Sequence, residues 1–191
     1  MTTRKEQAAL SRSLLIDVAL RLFVEQGYEA TPISQILSEA GMARGALYHH
    51  FPEGKKQLFN EVVDVVDHQL HEGFEEIITT ITSPMAQIQA GFDLLVRLAA
   101  DRVFARIILI EAGTVMPGAW TTGSEFVLLR DTLERAIAAG EVQPVPLDAA
   151  TSTLYGAARR AADFVANSDE PQQTAAECSA VLAAVLSGFS A

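Results

Sequence analysis

The sequence predicts an all-α chain. Residues 1–55 read as a head of three helices arranged helix-turn-helix, and residues 56–191 as a helical bundle of about six helices, with one long helix joining the two parts. Two observations carry this reading. Apolar residues recur at intervals of three and four over nearly the whole chain, the spacing of one face of an α-helix. Gly27, Gly41, Pro52, Gly54, Pro84, Pro117, Gly118, Gly140, Pro144 and Pro146 fall at the breaks between these periodic stretches, where they punctuate helices.

The first helix carries Leu14, Leu15, Val18, Leu22 and Phe23 on one side and Asp17 and Arg21 on the other, four apart and expected to pair. Gly27 ends it. Thr31-Pro32 is read as the N-cap and first residue of a second helix, in which Ile33, Ile36, Leu37 and Ala40 share a face. Gly41 breaks that helix, and a third covers about Arg44–His50, anchored by Leu47 and Phe51. Pro52-Glu53-Gly54 is a turn. The long helix starts at Lys55 and runs to about Ile81 through Leu58, Val62, Val65, Val66 and Leu70. Further helices are expected over roughly 85–99, 102–113, 124–139, 147–167 and 171–187, with breaks at Pro117-Gly118, Gly140 and Pro144/Pro146. Within the 102–113 helix, Ile107–Ile110 is a β-branched run that could instead be a buried strand.

The chain has 191 residues, 49% of them apolar, which is enough for a sizeable core. A single cysteine, Cys178, excludes an internal disulfide and points to a reducing compartment. Asp17 and Arg21 interrupt the only signal-like stretch, and no run reaches the length of a membrane helix, so the expectation is a cytoplasmic protein with no membrane partner. The net charge of −10 is unevenly spread. Residues 1–60 hold seven basic and six acidic side chains, and the rest hold seven and eighteen. A near-neutral head on an acidic body is compatible with a head that meets polyphosphate.

In a helix-turn-helix the last helix enters the major groove of DNA. With Leu47 and Phe51 turned inward, Gly45, Ala46 and His49 face outward and Arg44 and Tyr48 flank them. This surface is small at its centre and carries donors at its rim, which suits close approach to base edges and phosphates. Lys55 and Lys56 at the start of the long helix, and Thr31 at the start of the second, are candidate phosphate contacts.

Gly27-Tyr28, Thr31, Ile36, Ala40-Gly41, Gly45, Leu47-Tyr48, Phe51, Lys55 and Leu58 resemble, in order and spacing, the signature of the TetR family of bacterial transcriptional regulators. The resemblance covers about residues 10–60, and the remainder is similar only in layout. It implies a DNA-binding head and a ligand-binding, dimerising body. The function implied is repression relieved by a small-molecule effector, with double-stranded operator DNA as partner. Thr31, Tyr48 and Lys55 would then contact phosphates, Arg44 and His49 would face bases beside Gly45 and Ala46, and His50 is a further candidate. Relatives commonly have Ser or Thr where this chain has Pro32, Ala43 and Ala46, so a cap of the recognition helix and one DNA contact are expected to be missing. The turn Phe51-Pro52-Glu53-Gly54-Lys55 is one residue longer than usual and is similar to a branch with a Phe-Pro-x-Gly-Lys turn.

In the body, Phe74, Phe92, Phe104, Met116, Trp120 and Phe126 are candidates to line an effector cavity between helices, and Glu111 a candidate to hold a cationic ligand. Asp64, His68, His71 and Glu72 have metal-ligand spacing but read as a solvated helix face, and neither a metal nor another cofactor is expected. No nucleophile–base pair, phosphate-cradling glycine loop or paired-carboxylate motif suggests an enzyme. Small residues in the last two helices, with the family resemblance, imply a homodimer interface through Ala158, Ala161, Ala162, Val165, Val181, Ala184 and Val185, with Cys178 nearby. The rival reading is a helical ligand- or metal-binding protein whose head no longer binds DNA.

Overall fold

The computed structural model describes residues 3–116 and 124–191. The helices are α1 (Arg4–Gln26), α2 (Ile33–Glu39), α3 (Arg44–His50), α4 (Lys55–Thr80), α5 (Pro84–Ala99), α6 (Arg102–Phe104), a π-helical segment (Ala105–Glu111), α7 (Ala112–Val115), α8 (Ser124–Ala138), α9 (Leu147–Ala166) and α10 (Pro171–Ser187). The breaks expected at Pro117-Gly118 lie outside the described residues.

Local chemistry sets most of the ends. A reciprocal capping box opens α1: Thr3 Oγ1 accepts from the Glu6 N–H and Glu6 Oε2 accepts from the Thr3 N–H. Gly27 closes it, its N–H donating to Phe23 O at 2.9 Å. The N-cap of α2 is Pro32, not Thr31, and neither Pro32 nor Ala43, the N-cap of α3, makes a side-chain capping bond. Ser83 caps α5, and Glu141 reinforces that end by accepting from Ser83 Oγ and the Met85 N–H, both at 2.8 Å. Arg21 does not pair with Asp17 as the spacing suggested; it reaches Glu25 and, across to α2, Glu39. The longer reach gains a contact that pins the first two helices together.

The head is α1–α3 closed by the first turns of α4 around Leu15, Phe23, Ile36, Leu47, Phe51 and Phe59, all fully buried. In the body, α5 is central and packs on α4, α8, α9 and α10. Gly73 lets α4 and α5 approach, since a Cβ there would stand 2.5 Å from Leu94 Cδ2. Residues 107–110 are a π-helical turn and not a strand. Ile107, Ile108 and Leu109 are buried on several sides at once, which a widened helix accommodates and an isolated strand, with no partner edge, does not.

Candidate functional site

Seven residues make α3. Leu47 and Phe51 plug into the core, and the Phe51 N–H donates to Leu47 O at 2.7 Å. That anchorage turns Arg44, Gly45, Tyr48 and His49 to solvent, with Ala46 and His50 at the margins. Tyr48 is 43% exposed. A Cβ at Gly45 would meet nothing within 4 Å, so the centre of this face is low and open. Burial, and then the neighbouring His49 and Arg12, hold the His50 imidazole below its usual range. Arg12, which sequence reasoning passed over, lies 5.4 Å above the Phe51 ring and pairs with Glu61, bringing a cation from α1 to this end of the head. It sits on the polar side of α1, where nothing in the local pattern separates it from an ordinary solvated arginine.

The three other phosphate candidates differ. Lys55 places its Nζ 4.1 Å from the centre of the Tyr28 ring, and burial lowers its pKa against the opposing pull of Glu29 and Glu111. Lys56 is exposed. Thr31 is fully buried, and its hydroxyl donates to Gly27 O at 2.7 Å. This corrects the expectation of a phosphate contact there. The end of α1 leaves carbonyls without helical partners, and the nearest hydroxyl satisfies one.

Between α4, α5, α8 and α9 lies a narrow cavity of about 80 Å³. Its walls are apolar, with Phe74, Ile78, Ile88, Phe92, Leu95 and Leu128 prominent, and its polar groups are Gln87, Thr132, Glu125, Tyr155 and Arg159. Of the sequence-based pocket candidates, Phe74 and Phe92 line this cavity, and its polar residues were not among them. Burial first, and Glu125 second, raise the Tyr155 phenol pKa against Arg159. Arg159 donates to Leu109 O at 3.1 Å and to Asp163. Other candidates lie elsewhere. Phe104 is core packing, Met116 packs against the core outside the cavity wall, and Phe126 stacks edge-on behind Tyr155 at 5.5 Å. Trp120 lies outside the described residues. Aromatic spacing marks a buried face without saying whether that face meets a neighbour or a gap, which is why only some of these line the cavity.

Glu111 does not face the cavity either. It is buried, pairs with Arg106 at 2.8 Å and accepts from the Tyr28 N–H at 3.1 Å. With its charge so engaged it is no cationic-ligand site; it is the joint between body and head. Gly27 makes the joint possible: its φ is +87°, and a Cβ there would stand 2.5 Å from Arg106 Nη2. Leu109, two residues earlier in the same π-helical segment, lines the cavity. One short segment thus touches both the cavity and the turn that begins the helix-turn-helix.

A profile described as bacterial regulatory proteins, tetR family, matches residues 15–62. A second, described as tetracyclin repressor-like, C-terminal domain, matches residues 85–189, more than half of the chain. The chain belongs to the TetR family. Among relatives of this TetR-family chain, the HTH-type transcriptional regulator LmrA of Bacillus subtilis is 39% identical over 80 residues, 42% of this chain and 43% of that protein. The chain thus spans less than half the length of that relative. The HTH-type transcriptional regulator SrpR of Pseudomonas putida is 30% identical over 151 residues, 76% of this chain and 70% of its own. The crystal structure of a TetR-family transcriptional regulator from Pectobacterium atrosepticum superposes with a TM-score of 0.77 at 26% identity, covering 99% of this chain and 98% of that one.

The last two helices of this TetR-family chain divide the expected interface residues. Ala158, Ala162 and Val165 are buried within the chain and cannot meet a second copy, a correction to the expectation. Their small side chains serve the close packing of α9 inside the protomer. Val181 (63% exposed), Val185 and Ala184 face outward and Ala161 is half-buried. Phe164 on α9 is 57% exposed and was missed. Cys178 is half-buried, and burial followed by Glu177 raises its thiol pKa, the opposite of a redox-active cysteine. No helix among the described residues is long and apolar enough to cross a membrane.

Proposed function

We propose that this chain is a homodimeric cytoplasmic repressor whose residues 1–55 bind operator DNA and whose residues 56–191 bind a small-molecule effector and dimerise. The observation that carries the reading is the pairing of an outward donor-bearing α3 with a cavity that shares α4 with it. Arg44 and His49 read bases over the open surface at Gly45 and Ala46, Tyr48, His50 and Lys55 add backbone contacts, and Arg12 strengthens the field. Phe164, Val181, Ala184 and Val185 seat the partner protomer and hold two heads roughly 34–36 Å apart, one helical turn of DNA.

Drug-sized ligands fill cavities of roughly 300–1,000 Å³. At about 80 Å³ the cavity is narrower than that, so an effector that enters must part its walls. That makes the effector selective for a widened body, and it shifts the heads by its differential affinity for the two states. The experiment is a gel shift with DNA from upstream of the chain's own gene, repeated across a panel of apolar, aromatic and cationic compounds that first raise the Tm. The expected result is a discrete complex that one compound class dissolves. A folded dimer that shifts no such DNA would favour a ligand-binding protein with an inactive head.

A further inference from the structure

We propose that Asp67, His71 and Glu125 form a binding site for a divalent transition-metal ion, with zinc the ion their donors suit best. Asp67 and His71 are one helical turn apart on α4, and Glu125 comes from the first turn of α8 opposite them. One donor atom from each of the three lies within 4.8 Å of the other two. This goes beyond the effector cavity, though it borders it, since Glu125 is also part of the cavity wall.

The imidazole is already oriented as a ligand. His71 Nδ1 lies 3.1 Å from the backbone carbonyl of Asp67 and 3.2 Å from Asp67 Oδ2. With the Nδ1 proton kept on the Asp67 backbone carbonyl, Nε2 is the ligand atom, 3.9 Å from Glu125 Oε1, and the Asp67 carboxylate would turn about its own side chain from the Nδ1 edge to join them. A metal-binding histidine is commonly held in this way, its other N–H donated to a carbonyl or carboxylate. The second sign is Asp67 itself, whose side chain is 18% exposed and whose Oδ1 is shielded from solvent with no hydrogen-bond donor. The charged groups acting on it are His71, Glu125 and Asp64, and only the first can be positive. Two carboxylates and a neutral imidazole sum to the charge a divalent ion neutralises. Zinc–ligand bonds of about 2.0–2.2 Å place neighbouring donors roughly 3.4 Å apart, within side-chain adjustment of the separations here. One imidazole with two carboxylates suits zinc and its neighbours, whereas magnesium prefers an octahedral shell of oxygens. The fourth position would stay open for water, and the ion would tie α4, which carries the head, to α8.

The test uses untagged protein stripped with chelator. Zinc is titrated by calorimetry and by thermal melts, and cobalt by its visible absorption. The expected result is one ion per chain, a raised Tm that chelator reverses, and no comparable effect of magnesium. Asp67→Asn, His71→Ala and Glu125→Gln should each weaken zinc by about ten-fold or more, by analogy with losses from altered metal surroundings. His68→Ala and Cys178→Ser, outside the cluster, should bind as wild type. Far-ultraviolet dichroism checks that each variant folds, and the two isosteric amides keep the test valid if His71→Ala does not. No uptake at micromolar zinc, equal stabilisation by magnesium, or binding lost in His68→Ala instead would overturn the proposal. None of these readouts depends on DNA or effector binding.

Discussion

At the scale of single residues, three side chains have roles that their neighbours decide. Thr31 keeps its hydroxyl on Gly27 O, so Thr31→Val should lower stability by about 1 kcal/mol, the worth of one intramolecular hydrogen bond. Its salt slope of operator binding should stay unchanged; a shallower slope would restore the phosphate role. Lys55→Ala should do the opposite, weakening binding to all sequences and reducing that slope by about one. An unchanged slope would show that Lys55 serves only to pack on Tyr28. Glu111→Ala leaves Arg106 and the Tyr28 N–H without their acceptor. Arg106 keeps some access to water, so a loss of roughly 1–3 kcal/mol is expected in urea unfolding. A wild-type midpoint would mean that the joint contributes nothing to stability.

At the scale of elements, the π-helical segment and α4 connect the two halves by different routes. The segment carries Leu109 on the cavity and Glu111 on the head, so a widening of the cavity would have a route to the Gly27-Tyr28 turn that does not pass along α4. A large side chain placed in the cavity should separate effector response from DNA binding. Leu128→Trp, on the α8 wall, is expected to abolish effector release while leaving operator affinity within a few-fold of wild type. Retained release at wild-type effector concentration would place the effector elsewhere. Helix limits were largely legible beforehand. Lys55, Ser83, Gly140 and Pro171 mark ends that local backbone chemistry sets wherever the helix packs. At Ile107–Ile110 the helical state was legible but its π-helical widening was not, because a run of bulky apolar residues suits any element buried on more than one side.

At the scale of the whole molecule, α9 and α10 expose large apolar side chains, Phe164, Val181 and Val185, where a fully solvated helix would be polar. Phe164→Asp should give a monomer by sedimentation and lower operator affinity by at least about ten-fold, because each head alone makes half the contacts. A variant that stays dimeric would move the interface to another face. The stripe of small residues in this region misled, since Ala158 and Ala162 are small for packing inside the chain. A spacing argument finds that stripe but does not say which of its two sides is already covered.

The sequence by itself determined the helices, the outward face of α3 and the family, because these rest on near-neighbour periodicity, capping and a dense run of spaced residues. Only the tertiary structure decided that Thr31 is internal, that Glu111 joins body to head, which aromatics border the cavity, and that Asp67, His71 and Glu125 meet. Each of these depends on which distant helix lies opposite. That is set by packing of the whole core around α5, and no local pattern along the chain records it.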